Sequence, residues 1–333
     1  MDPVSQGVLG AVFAQTRGPQ HTLAKAAVIG AIAGMAPDLD VFIRSATDPL
    51  LALEFHRQFT HSLLFIPFGG LLCSFLLHPL LGRRWQLSYW QTLVWCIIGL
   101  ATHGLLDGCT TYGTKLLWPL SEQRYALDII SVVDPLFTLP LLVLVGFAAV
   151  TKRRRYVGWA LLWGAAYLAL GYVQHERAER MGLALAQSRG HEVLRLEAKP
   201  SFANLVVWKV IYETDQHFYV DAVKPGLFKP RVWRGEQVQK LNIQRDFPWL
   251  DSASQQARDI QRFAELSAGF LARDHRNPQR IGDVRYAMLP QQIAPLWGIQ
   301  LTPDADASAH VAFYTQRDDA RAAVKRIAAM VFE

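Results

Sequence analysis

The residues of this chain that could do chemistry are histidines and aspartates at the ends of apolar segments. They are Asp38, Asp40, His56, His61, His103 and Asp107. Imidazole nitrogens and carboxylate oxygens are the ligands from which hydrolytic zinc and di-metal sites are built. Ionisable groups are costly beside hydrocarbon, and inside a membrane segment they indicate a functional site. The set predicts a divalent-metal centre, with zinc expected and manganese as the alternative.

The spacing within the set supports shared coordination. Asp38 and Asp40 follow Pro37, which marks the end of an apolar helix, and a spacing of two lets both carboxylates reach one cation or a pair. His103 and Asp107 are four residues apart, so a helix places them on one face, one turn apart. The alternatives are a solvated turn for the two aspartates and a local hydrogen bond between His103 and Asp107.

His56 and His61 bracket the start of the next apolar segment, where Thr60 could orient a ligand or cap the helix. Arg57 lies between them. Its guanidinium suits bidentate binding of a phosphate or carboxylate beside a cation. The alternative for Arg57 is a side chain that extends to the membrane surface.

Two further aspartates precede a later apolar segment. Asp134 stands before Pro135, and Asp128 lies six residues earlier in a mostly apolar run. A carboxylate before a proline is also typical of a helix N-terminus, where the dipole favours negative charge. Asp134 is therefore an equal candidate for a residue of the site and for a helix cap.

The elements that must position these residues are membrane helices. Residues 1–173 carry nine acidic and twelve basic residues, against nineteen and twenty-two in residues 174–333. About 20 apolar residues cross a bilayer core, and four segments fit that length. They are Ser62–Gly82, Leu87–Leu106, Val133–Thr151 and Tyr156–Gln174. The shorter Pro3–Thr16 and Ala26–Ala36 could span thinly or pair as a hairpin, and they bring the predicted count to about six, in an α-helical integral membrane domain over residues 1–174.

Basic residues indicate the orientation. They cluster in three of the connections, at Arg17 and Lys25, at Arg83 and Arg84, and at Lys152–Arg155. The positive-inside rule places these connections in the cytoplasm. The connections 38–61 and 107–132, and everything after Gln174, then lie outside. Every candidate ligand falls on that outer face, and the basic residues that set the orientation are independent of these ligands.

Residues 175–333 predict a soluble, extracytoplasmic α+β domain. Glu176–Ser188 continues the last span as a polar helix, and short strands and two amphipathic helices follow. The predicted strands are Leu205–Tyr212, His217–Val223, Arg285–Leu289 and His310–Thr315, and the predicted helices are Ser252–Arg273 and Asp318–Phe332. This domain could be a lid over the metal face or a docking module for a partner.

Several motifs together suggest a family. They are Met1–Gly7, Pro37–Asp40, His56–Ser62, His103–Asp107, Tyr112–Thr114, Leu117–Pro119 and Val133–Pro135. In their order over the first 150 residues, the chain resembles the membrane-bound metal-dependent hydrolases of the YdjM/YbcI type. The resemblance implies a multi-span protein of the bacterial inner (cytoplasmic) membrane with a divalent-metal hydrolase site. The chain departs from the pattern at Ser5-Gln6, where relatives often carry Thr-His, so Gln6 would have to replace an imidazole through its carbonyl oxygen.

The family is in turn distantly similar to the zinc-dependent phospholipase C and P1 nuclease group. That similarity implies metal-assisted hydrolysis of a phosphoester, with Asp134 or Asp128 as the base and Arg57 as a clamp. A site at the membrane surface favours a membrane lipid or a lipid-linked substrate.

Two other classes compete with the enzyme. One is a non-enzymatic scaffold or regulator whose metal is structural, which a closed shell of protein ligands would favour. The other is a transporter, which predicts acidic residues near the bilayer midplane rather than at the outer ends of spans. Nucleic-acid binding is not expected: the net charge of +6 comes without a basic stripe interleaved with aromatic residues, and a basic rim suits anionic lipid.

Overall fold

Glycines let the first helices of the chain pack closely. In the computed structural model, which describes residues 1–226 and 229–333, α1 (Pro3–Arg17), α2 (Leu23–Met35) and α5 (Tyr89–Gly108) cross at Gly10, Gly30 and Gly99. A Cβ on Gly99 would lie 2.4 Å from the Gly30 carbonyl oxygen, and one on Gly30 would lie 2.5 Å from that of Gly10. Small residues at such crossings allow backbones to approach, as is usual between membrane helices.

The other helices before residue 190 follow in chain order. They are α3 (Leu51–Phe55), α4 (Ile66–Leu77), α6 (Pro135–Thr151) and α7 (Arg155–Ser188). Short 3₁₀ turns cover Gln20–Thr22, Ala36–Phe42, Phe59–His61 and Leu63–Phe65, and a π turn covers His78–Gly82.

Three helical segments of the described chain are long and apolar enough to cross a membrane. They are Gln20–Phe42, Leu63–Gly82 and Arg155–Ser188, with Pro135–Thr151 shorter. The predicted count of about six spans is not confirmed. At 1.5 Å per residue the 15 residues of α1 cover about 22 Å, less than a bilayer core of about 30 Å. The marginal Ala26–Ala36 is extended by 3₁₀ turns on both sides into the 23-residue segment Gln20–Phe42.

Two hydrogen bonds join the basic connections at one end of the helical unit. Lys25 Nζ donates to the Trp85 carbonyl oxygen at 2.9 Å, and Arg154 Nη2 donates to that of Gly18 at 2.7 Å. The turns after α1, after the π turn and after α6 thus meet. His103 lies 14 residues along α5 from its first residue, Tyr89, hence about 21 Å from that end.

The second part is α+β. Its first sheet is antiparallel in the order β1 (Arg195–Pro200), β2 (Trp208–Glu213), β3 (His217–Lys224) and β4 (Arg231–Trp233), with β5 (Gln237–Gln239) also on β3. The second sheet is the antiparallel meander β6 (Leu271–Arg273), β7 (Arg280–Asp283), β8 (Trp297–Gln300) and β9 (Ala312–Thr315). The helices are α8 (Ile243–Asp246), α9 (Gln255–Leu266) and α10 (Ala320–Phe332).

Two predictions for this part were wrong, one in the end of a helix and one in the presence of a strand. The predicted helix Ser252–Arg273 ends at Leu266, because Ala268 and Gly269 adopt left-handed backbone angles (φ 49° and 74°) and β6 follows. The predicted strand Arg285–Leu289 is not a strand. The Asp283 carboxylate accepts a hydrogen bond from the Arg285 backbone nitrogen at 3.0 Å, and this turn ends β7 at Asp283.

The chain divides into two units that exchange segments. One unit comprises 1–42, 55–173 and 202–204, and the other comprises 43–54, 174–201 and 205–333. Segment 43–54 therefore belongs to the α+β unit, although the residues on both sides of it belong to the helical unit.

Candidate metal centre

Four of the predicted ligands form one cluster, in which one atom of each side chain lies within 4.8 Å of the others. The Nε2 atoms of His61 and His103 are 2.9 Å apart, and Asp38 Oδ1 lies 3.5 Å and 3.3 Å from them. Asp107 Oδ2 lies 3.4 Å and 3.8 Å from the same two nitrogens. Atoms held about 2.1 Å from a tetrahedral zinc are about 3.4 Å apart. The cluster therefore has a spacing close to that of four ligands around one tetrahedral metal ion.

Three elements bring the cluster together. Asp38 lies on the 3₁₀ turn that continues α2, and His61 ends the turn Phe59–His61. His103 and Asp107 lie on α5 with Gly104 between them. A Cβ on Gly104 would lie only 2.2 Å from the His61 carbonyl oxygen. Glycine at this position is what allows His61 to approach the helix that carries the other two ligands.

Outer hydrogen bonds orient both imidazoles. His103 Nδ1 lies 2.6 Å from the Gly34 carbonyl oxygen, which can only accept, so Nδ1 carries the proton. Thr60 Oγ1 donates to Asp40 Oδ2 at 2.8 Å and is left to accept from His61 Nδ1 at 2.9 Å. With both protons on Nδ1, a neutral imidazole presents its Nε2 lone pair, as metal-ligating histidines do.

Asp107 is fully buried, and two groups contact its Oδ1 atom on the side away from the other ligands. Gln6 Nε2 donates to Asp107 Oδ1 at 2.9 Å, and the Met1 ammonium contacts the same oxygen. The other oxygen, Oδ2, accepts no hydrogen bond from the described residues. A buried carboxylate oxygen in that state is stabilised by positive charge. The Arg57 guanidinium, with its Nε 3.1 Å away, supplies part of that charge, and the donor set also fits a divalent cation. The Gln6 amide nitrogen thus orients Asp107, and the Gln6 carbonyl oxygen, which the sequence suggested as a ligand, accepts no hydrogen bond from the described residues.

Arg57 is 5 % exposed, so its side chain does not extend to the surface. Its Nε lies 3.1 Å from Asp107 Oδ2, its Nη1 donates to Thr110 Oγ1 at 3.0 Å, and its guanidinium lies 5.1 Å from the centre of the Tyr112 ring. The backbone of Arg57 is left-handed, with φ 63°. Such angles are strained for a residue with a long side chain and occur often at functional sites.

A second cluster comprises Asp38, Asp40 and His56 and shares Asp38 with the first. His56 Nδ1 lies 2.7 Å from Asp40 Oδ1. Asp38 and His56 have side chains that are 21 % and 34 % exposed, whereas His61 and Asp107 are closed off. All six predicted ligands thus fall in two adjoining clusters, of which the second reaches the surface.

The carboxylates act strongly on His61, which precedes the apolar segment Leu63–Gly82. Burial alone would lower the pKa of this imidazole, but hydrogen bonds to Asp107, Asp38 and Asp40 raise it to about 10. Negative charge is therefore concentrated where the ligand atoms converge.

Asp128 and Asp134 belong to neither cluster of the described residues. Asp134 caps α6, accepting from the Phe137 backbone nitrogen at 3.3 Å, and accepts from the Tyr167 hydroxyl at 2.8 Å. Asp128 is buried, with a left-handed φ of 53°. Their role as bases stays a prediction.

The sequence reasoning missed two backbone features of the site. These are the carbonyl oxygen of Gly34, which orients His103, and the small size of Gly104. The signal available for both was a glycine close to a ligand within an apolar helix.

Comparison with known proteins places the site in a family. The sequence model of the YdjM inner membrane protein family matches residues 1–178, which contain both clusters. Inner membrane protein YbcI of Escherichia coli (strain K12) is 36 % identical over 99 residues, 29 % of this chain and 54 % of that protein. Protein YfhP of Bacillus subtilis (strain 168) is 28 % identical over 119 residues, 35 % of each. The chain thus spans about half or less of these curated relatives, and no solved structure matches it.

Proposed function

Since the chain belongs to the YdjM inner membrane protein family, we propose that it is a divalent-metal-dependent hydrolase of the bacterial inner membrane, which cleaves a phosphoester of a lipid or lipid-linked substrate. The observation that carries this proposal is that Asp38 is common to both ligand clusters. A carboxylate shared between two cation sites is how a hydrolase can hold two cations close enough to act on one ester.

The exposure of the ligands indicates where a substrate approaches. Asp38 and His56 are the accessible members of the clusters, so solvent and substrate reach the second cluster first. Divalent cations, when bound, supply Lewis-acid activation of water and of the ester. The residues of the chain would hold the cations and orient the ligands. Thr60 fixes the His61 imidazole, and Gln6 fixes the Asp107 carboxylate.

Arg57 supports an anionic substrate. Its guanidinium is buried against Asp107 and held by Thr110, so its charge is fixed beside the ligands. Guanidinium groups bind phosphate oxygens in a bidentate manner. We assign Arg57 the binding of a phosphoryl group and keep Asp128 and Asp134 as candidate bases.

Metal content is the first test. Full-length protein purified in detergent is analysed by elemental mass spectrometry, together with His61→Ala and Asp107→Asn. His275→Ala and Asp215→Asn serve as matched controls, because both side chains are exposed in the α+β unit. We expect about two zinc or manganese ions per chain in the wild type and the controls, and a loss in the two site variants. A folded wild type without metal would overturn the proposal.

Turnover is the second test. The metal-loaded protein is assayed on phospholipid vesicles and on a chromogenic phosphodiester, with Arg57→Lys as the variant. We expect turnover in the wild type, and a loss of activity without loss of metal in Arg57→Lys, because lysine lacks the planar fork. Metal-loaded protein that is inactive on all phosphoesters would count against the enzyme.

A structural metal in a membrane scaffold is the second candidate function. It is favoured by the closed set of four protein ligands in the first cluster, three of which are buried. Such a site would hold one ion that does not exchange with added isotope. Two exchangeable ions would favour the hydrolase.

A further inference from the structure

The path of the chain links the metal ligands to the α+β unit. After Asp40 the chain leaves the helical unit, packs residues 43–54 into the α+β unit, and returns just before His56. Ile43 lies three residues after Asp40, and His56 lies two residues after Glu54. At about 3.5 Å per residue, these tethers leave little slack. Two ligands of the second cluster therefore flank a segment that another part of the chain holds.

An apolar side chain anchors this segment. Leu50 is fully buried in the core of the α+β unit, in a cluster that includes Phe247, Ile260 and Phe263. Leu53 packs against the same cluster. The segment is thus part of a hydrophobic core and not a free surface loop.

Arg262 on α9 fastens the same segment by charge. Its Nε and Nη2 donate to the two Glu54 carboxylate oxygens at 2.6 Å and 2.9 Å, and its Nη1 and Nη2 donate to the two of Asp48 at 3.1 Å and 2.8 Å. Nη1 also donates to Asp259 at 2.9 Å. All five N–H donors of the guanidinium are used. Two bidentate pairs from one arginine fix the segment in position and in orientation.

The third acidic partner is itself tied into the unit. Asp259 is fully buried and accepts from His310 Nδ1 at 2.8 Å and from the Val311 backbone nitrogen at 3.1 Å. The Arg262 contacts that hold segment 43–54, called the Arg262 clamp below, are therefore continuous with the chain just before β9.

We propose that Arg262 is a positioning residue for the metal centre, and that the α+β domain sets the geometry of Asp40 and His56 through segment 43–54. This inference rests on the proposed function for its consequence, metal affinity. Anchoring the segment removes the entropy that a free loop would lose on ordering its ligands. A change that weakens the Arg262 clamp should therefore make Asp40 and His56 less ordered and lower the metal affinity.

Zinc affinity tests the proposal on the full-length protein in detergent. Zinc is titrated against a chromophoric chelator for Arg262→Gln and for the matched control Arg258→Gln. Arg258 lies one turn earlier on α9 and is exposed, and its hydrogen bonds to described residues go to its own helix and the turn before it. We expect the Kd for zinc to rise about tenfold in Arg262→Gln, the low end of the effects seen for residues behind metal ligands, and to stay unchanged in Arg258→Gln.

Amide hydrogen exchange of residues 55–62 gives a readout that needs no metal. The Arg57 backbone nitrogen donates to Asp40 Oδ2 at 3.2 Å, so slack at Asp40 should speed exchange there. If Arg262→Gln does not fold, Glu54→Gln removes one charged pair and keeps the Asp48 pair. Unchanged exchange and affinity in a folded clamp variant overturn the positioning role. A wild type that binds neither zinc nor manganese defeats the proposed function, while the exchange result still decides the coupling.

Discussion

The Nε2 atoms of His61 and His103 face each other at 2.9 Å, with ring planes 77° apart, although 42 residues separate them in the chain. Their Nδ1 atoms are directed at Thr60 and at the Gly34 carbonyl oxygen. If both protons lie on those outer nitrogens, two lone pairs meet. Two facing lone pairs repel unless a proton or a metal ion lies between them, and the neighbouring carboxylates stabilise either of these positive charges.

Gly104→Ala should remove metal binding. The new Cβ would lie 2.2 Å from the His61 carbonyl oxygen, so the turn that carries His61 must move away from α5. Overpacking of this kind costs about 1–3 kcal/mol, and the ligand geometry would be lost with it. The measurement is metal content together with the thermal unfolding of the purified protein.

The control for this variant is Gly158→Ala on α7. A Cβ there would meet no atom of the described residues within 4 Å. Alanine favours the helix by about 1 kcal/mol over glycine, so this variant should be as stable as the wild type or more so, and should keep its metal. Full metal content in Gly104→Ala would show that the contact with His61 is not needed.

Thr60→Val should weaken metal binding without unfolding the protein. The Thr60 hydroxyl joins the Asp40 carboxylate to His61 Nδ1. Valine has a similar shape but no hydroxyl, so the imidazole loses the partner that fixes its orientation. We expect the Kd for zinc to rise about 10–100-fold, as is typical for such outer partners. Thr60→Ser should restore most of the affinity, and equal affinity in all three proteins would exclude the role.

The sequence was sufficient to find the six residues that form the two clusters because their signal is chemical. Histidines and aspartates at the ends of apolar runs are rare for a physical reason, the cost of burying them, and all six converge in the structure. The distinction between ligand and outer residue could not be predicted. It depends on which atom of Asp40 or Gln6 faces which neighbour, and spacing along the chain does not encode that.

The fold was predicted unevenly for a similar reason. The polar continuation of the last span to Ser188 and the strand beginning at His217 were confirmed, because long periodic patterns are unambiguous. Strands of three or four residues such as β6 and β7 were missed, since so short a run has no readable period. The exchange of segment 43–54 rests on one buried leucine and one distant arginine, which no local pattern connects.

The orientation of the protein can be tested with introduced cysteines. Ser121→Cys lies in the connection after α5, near the end that carries the ligands, and Gln86→Cys lies among the basic turns. In a Cys109→Ser background, a membrane-impermeant maleimide applied to intact spheroplasts should label the first and spare the second. Labelling of position 86 alone would invert the proposed orientation and place the metal site in the cytoplasm.

Lys209 should make the stability of the α+β domain depend on pH. Its Nζ is buried and donates to the Gln292 carbonyl oxygen at 2.7 Å. Burial lowers its pKa from 10.5 to about 7, although Asp283 and Glu236 act to raise it. Between these two values the unfolded chain binds a proton at this lysine that the folded chain does not bind. The free energy of unfolding should therefore rise with pH over that window, by up to about 1.4 kcal/mol per pH unit.

Lys209→Met is the variant that isolates this contribution, because methionine fills a similar volume without a titratable group. Denaturant unfolding of the full-length protein is followed by near-ultraviolet circular dichroism at pH 7, 8 and 9. We expect the wild type to gain stability along this series and Lys209→Met to gain less. Below pH 7 Lys209 is protonated in both the folded and the unfolded wild type. Its contribution to the pH dependence of the free energy of unfolding should therefore disappear there. Parallel slopes for the two proteins between pH 7 and 9 would show that Lys209 remains charged in the folded chain.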